Sequence, residues 1–282
     1  MATAILHPTQ QDSGQIFVPR EHGATAMLLT PFFAAAILLR SIYWQEVVVL
    51  IAIVCAFAIK DPLVVIARQR LVWKQPHAET KAAVRSAVIE FWLMIACGIA
   101  LLATRDWRPL VALFAGAAGF TAVAVRLTVR NRQRSEWFQV ASAVGLSSTS
   151  IAACLAAVGE IPQWCWMLWL LSALQATAGI FVVHARLDAK IAARKHAAAD
   201  PGNRRAALFC QIALLVAAGS FAFYGRLWIA AALLVAASCY LWELRRQKNP
   251  ESLQMPLKKV GLRALTLSTA YALMVVAGLW RY

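Results

Sequence analysis

Charge is scarce in this chain, and negative charge scarcest of all: 13 Asp and Glu stand against 28 Lys and Arg in 282 residues, and only 15% of the sequence is charged. Apolar residues fill the difference at 61%, with a mean hydropathy of +0.63. Soluble globular domains hold about half apolar residues. The composition excludes that class and makes the bilayer the solvent.

Other absences narrow the reading. Residues 1–21 contain Pro8, Pro19 and several polar groups and have no early apolar core, which excludes a cleavable signal sequence and leaves a short polar leader. The six cysteines (Cys55, Cys97, Cys154, Cys165, Cys210 and Cys239) show no CxxC spacing, so they read as small apolar packers and not as a metal or redox motif. The +15 net charge is spread over short loops with no compact basic domain, which argues against a nucleic-acid partner. No linker divides residues 22–282, and no convincing internal repeat appears. One polytopic membrane domain is the expectation.

What the chain has in abundance is apolar runs of roughly 16 to 22 residues, the length a helix needs to cross about 30 Å of hydrocarbon. Nine are read, at 23–39, 47–67, 82–103, 110–125, 138–158, 164–183, 206–223, 227–242 and 260–279. Only helices and closed barrels satisfy every backbone polar group in lipid, and these runs are too long and continuous for barrel strands. The fold class is therefore all-α integral membrane, a bundle of about nine transmembrane helices.

Lys and Arg set its orientation, because loops rich in them stay cytoplasmic. The gaps after runs two, four, six and eight hold nineteen of them, and the alternate gaps hold only Arg40, Arg105, Arg108 and Arg226. This asymmetry places the amino terminus in the cytoplasm and the carboxyl terminus outside. Tryptophans 73, 107, 164, 228, 242 and 280 lie near run ends, where an amphipathic ring suits the headgroup zone.

Ionisable residues at membrane depth are costly and default to functional candidates. The first group is Pro19-Arg20-Glu21-His22-Gly23, at the head of the first run. A helix start with a favourable Glu and a lipid-facing Arg accounts for part of it. His22 adds a titratable ring that an anchor does not need. Lys60-Asp61-Pro62 interrupts the second run, where proline removes a helical hydrogen bond and favours a kink. Arg68 follows it. Arg126 and Arg130 are four apart, so both guanidinium groups can face a common anion. His184 and Asp188 share that spacing, with Arg186 between them, and the carboxylate could orient the imidazole. Glu90 is a further buried carboxylate. The bland alternatives are exposed helix ends for His184 and Asp188, topology for the arginines and a self-neutralising pair for Lys60 and Asp61.

The string Val18-Pro19-Arg20-Glu21-His22-Gly23-Ala24, followed by an apolar run with Pro31, resembles the opening signature of the YwiC-like family of bacterial membrane proteins. That resemblance implies a multi-pass protein of the bacterial cytoplasmic membrane. More distantly, nine spans, about 280 residues and the heaviest polar loops after spans two, four and six are similar to the UbiA superfamily of membrane prenyltransferases. The resemblance implies a UbiA-like helix arrangement, magnesium held by aspartate-rich segments after spans two and six, and a basic segment after span four that neutralises an isoprenoid diphosphate. Magnesium demands hard oxygen ligands. Here each segment supplies one carboxylate, Asp61 and Asp188, and the doubled motif is absent.

The expectation from these readings is a cytoplasm-facing polar cavity for an amphiphile with an anionic head, an isoprenoid or other lipid phosphate. Arg20, Lys60, Arg68, Arg126, Arg130 and Arg186 would bind the head. If the chain is an enzyme, Asp61 and Asp188 would hold Mg2+, and Glu21, His22 and His184 would be the acid or base groups. The rival classes are a small-solute or proton-coupled transporter, which would use Asp61 or Glu90, and a non-catalytic membrane assembly partner. Oligomeric state is not legible in the sequence.

Overall fold

A computed structural model describes residues 22–75, 79–132, 135–195, 201–255 and 257–281. Among these residues every regular element is helical and no strand occurs. The order is α1 (His22–Leu39), α2 (Trp44–Ala58), α3 (Lys60–Arg68), a wide turn of π-helix (Gln69–Trp73), α4 (Thr80–Leu102), α5 (Trp107–Val129), α6 (Glu136–Ser147), α7 (Thr149–Val158), α8 (Gln163–Lys195), α9 (Pro201–Phe223), α10 (Leu227–Arg246), α11 (Pro250–Leu253) and α12 (Leu257–Leu279).

Eight segments of the described chain are long and apolar enough to cross a membrane: Trp44–Trp73, Thr80–Leu102, Trp107–Val129, Glu136–Val158, Gln163–Lys195, Pro201–Phe223, Leu227–Arg246 and Lys259–Leu279. The first predicted run is also helical, but its apolar part, Gly23–Leu39, is shorter. The chain is an all-helical integral membrane protein. Bulky apolar side chains such as Val88, Phe91, Trp92 and Ile99 on α4, and Phe209, Ile212 and Val216 on α9, are exposed, as lipid-facing residues should be.

Two spans are broken, the first where the sequence predicts a kink. Pro62 has no N–H to give the carbonyl of Ala58, and the helix is interrupted at Ile59, between α2 and α3. The other break falls at Ser148, between α6 and α7, in a run of four hydroxyl residues. Ser148 donates to the Gly145 carbonyl at 2.7 Å and Ser150 to that of Ser147 at 3.1 Å, so side chains compete with the backbone ladder. Gly159 then ends α7 at φ +79, a conformation that a side chain would strain.

The chain divides into two compact units. One comprises Val48–Gln133, where α3 packs against both α4 and α5. The other comprises Glu21–Val47 and Arg134–Tyr282. In this larger unit α1 lies against α6, α7, α8 and α12, while α9 and α12 both pack on α10. Small side chains make the close approaches: Ala232, Ala236 and Ala237 on α10 and most of α7 are buried.

Candidate functional site

Within the smaller unit the helix break brings polar groups inward. Lys60 Nζ lies 3.7 Å from Asp61 Oδ1 and 5.6 Å from the centre of the Phe57 ring. Across the α3–α4 contact, Glu90 is buried halfway along α4. Its Oε1 accepts from Ser86 at 3.0 Å. Glu90 Oε2 is buried and has no hydrogen-bond partner among the described residues. A half-satisfied carboxylate at membrane depth is expensive. It is the polar group in this unit least explained by packing.

At the end of the same unit, Arg68 reaches from α3 to the carboxyl end of α5. Its Nη2 donates to the Thr128 carbonyl at 3.1 Å and to Asn131 Oδ1 at 3.3 Å. The guanidinium therefore sits beside the last turn of α5, which also carries Arg126 and Arg130, both exposed. The negative end of a helix dipole favours cations here, which reduces their mutual repulsion. Three arginines foreseen as phosphate ligands thus share one helix end.

Arg186, His184 and Asp188 lie in the larger unit. Arg186 is buried and held there, paired with Glu243 of α10 and donating to the Ser252 carbonyl of α11. Its guanidinium ties three helices. His184 and Asp188 turn to different neighbours, despite their spacing: His184 Nε2 bonds Gln139 Oε1 on α6, while Asp188 accepts from Asn203 on α9 at 2.7 Å. Arg20 and Glu21 lie outside the described residues. His22 begins α1, with only its backbone described.

Two polar features escaped the sequence reading. Glu46 is buried in the first turn of α2 with Oε1 unpartnered, where the helix amino terminus favours its charge. A network also runs across α8, α10 and α12: Gln175 Nε2 donates to Tyr240 at 2.8 Å and to Ser268 at 3.1 Å. The partners are 65 and 93 residues distant in sequence, so no local pattern announces them.

Among the described residues no three His, Cys, Asp or Glu side chains gather as a metal site requires. With Asp61 paired to Lys60 and Asp188 to Asn203, the described carboxylates do not fit a magnesium cluster of the kind that bridges to a diphosphate.

A family model described as YwiC-like protein matches residues 18–154. That stretch is YwiC-like. The YwiC-like segment opens with the Pro19-Arg20-Glu21-His22-Gly23 string and takes in Lys60, Asp61, Arg68, Glu90, Arg126 and Arg130 before ending in α7. His184, Arg186 and Asp188 lie beyond it. No curated protein and no solved structure matches the chain.

Proposed function

We propose that this protein crosses the membrane nine times, with its amino terminus cytoplasmic, and binds an anionic-headed amphiphile at the cytoplasmic end of its YwiC-like segment. The ligand class is a lipid or isoprenoid phosphate or diphosphate. The supporting observation is the placement of Arg68 beside the α5 turn that bears Arg126 and Arg130. Arg68 is fixed by two hydrogen bonds, while the other two side chains are exposed and able to reach a phosphate. Arginine matches phosphate with paired donors. The apolar faces of α4 and α5 beside them offer the tail a lipid-like surface.

Binding of this kind needs no metal. Prenyl transfer of the UbiA type would require more carboxylates than the described residues bring together, so the proposal stops at recognition of the head. Purified protein should bind a prenyl diphosphate. Hydrogen bonds to charged groups are worth about 1.5–3 kcal/mol each, so Arg126→Ala and Arg130→Ala should each weaken binding by roughly tenfold or more. Unchanged affinity in both variants would remove the proposal.

One observation favours a second reading. Glu90, with its unpartnered oxygen beside the Lys60–Asp61 break, suits a proton-coupled transporter. That class demands flux across sealed vesicles that depends on Glu90.

A further inference from the structure

Cys154 and Cys165 meet across a helical hairpin. The first lies on α7 and the second on α8, both are 0% exposed, and their side chains share a hydrogen bond. Ten residues separate them in the sequence, a spacing that matches no cysteine motif. Only the folded chain makes them neighbours.

Local chemistry builds the hairpin. Gly159 turns the chain out of α7 at φ +79, and the Cys165 N–H donates to the Pro162 carbonyl at 2.9 Å as α8 begins. With a link of only residues 159–162, α8 runs back along α7 and packs against it. Cys154 stands four residues before the end of α7 and Cys165 two after the start of α8. At a rise of about 1.5 Å per residue, both thiols lie within roughly 6 Å of the link along their helices. A disulfide requires two side chains that face each other across a short gap. Thiols that share a hydrogen bond do.

The surroundings say which side of the membrane the pair is on. Residues 159–163 contain no Lys or Arg, the mark of an outer loop. Trp164 and Trp166 flank Cys165 where α8 starts, and indole rings favour the headgroup zone. Disulfides persist outside the cytoplasm and are rare within it.

We propose, resting on the orientation given under the proposed function, that Cys154 and Cys165 close a disulfide near the outer surface and lock the α7–α8 hairpin. The oxidant is another disulfide. One protein thiolate attacks it, forming a mixed disulfide and releasing one thiol, and the second protein thiolate then displaces the other. Two protein thiols become one S–S bond as the oxidant becomes two thiols. Both sulfurs are buried in the folded chain, so the exchange takes place while the hairpin assembles.

The full chain, taken from cell membranes without reductant, is denatured in an alkylating reagent and its mass measured. Of the six cysteines, four should carry the label before reduction and all six after it, with the peptides of Cys154 and Cys165 joined until reduced. Cys154→Ser and Cys165→Ser should each free the other thiol, so that all five remaining cysteines label without reduction. Reduction should lower the thermal midpoint of the parent and leave that of the double variant unchanged. Six labels even after the purified chain is treated with diamide, a small thiol oxidant, would overturn the pairing itself, as would a bridge between other cysteines. Six labels in the membrane that fall to four with diamide would overturn the outer placement, and the orientation with it.

Discussion

Glu90 shows how one residue can separate two readings of a membrane protein. Its Oε1 takes a hydrogen bond from Ser86, while Oε2 has none. Glu90→Gln keeps the acceptor and discards the titratable group. Folding should therefore change by less than about 1 kcal/mol, while proton uptake into sealed vesicles, if the chain is a transporter, should fall tenfold or more. Flux equal to that of the parent would end the transporter reading. Arg186 makes the opposite point. Sequence alone offers it as a phosphate ligand, yet burial beside Glu243 makes it a tie within the fold. A lone charge in that place would be strongly destabilising. Glu90 was visible as a charge in an apolar run and Arg186 as one in the basic gap after the sixth. The partner of Arg186 was not visible, because Glu243 lies 57 residues away and on a different helix.

At the scale of elements, the interruptions matter more than the helices themselves. The Pro62 break could be read from local chemistry, since a missing N–H acts within one turn; the break at Ser148 was not foreseen, although its competing hydroxyls also act locally. Close packing between distant helices could not be read in this way. A Cβ on Gly278 of α12 would lie 2.6 Å from Ile229 Cγ1 and 3.1 Å from the Ile229 backbone nitrogen on α10. Ile229 is fully buried and has nowhere to retreat. Overpacking of this kind costs about 1–3 kcal/mol. Gly278→Ala should lower the thermal midpoint accordingly while circular dichroism stays helical, and adding Ile229→Ala should recover part of the loss. A neutral Gly278→Ala would mean that α10 and α12 are not in such close contact.

For the whole molecule, the open quantity is whether α1 crosses. Its apolar stretch, Gly23–Leu39, is shorter than the eight segments long enough to cross, and the charge bias of the loops predicts the side of every later span independently of it. If α1 spans, the leader is cytoplasmic. A membrane-impermeant maleimide should then fail to label Ser13→Cys in intact cells and should label it once the membrane is opened. Labelling from outside would reduce the count to eight spans. Membrane residence and helical class are determined by the sequence alone, because the cost of polar backbone in lipid acts on local composition. Which charged groups are free and which are tied was decided only by tertiary structure. His184 and Asp188 share a spacing but turn to α6 and α9, and Arg68 joins the arginines of α5 from 60 residues away. Hydrogen bonds and ion pairs depend on distances that only helix packing sets, and periodicity along one helix carries no information about its neighbours.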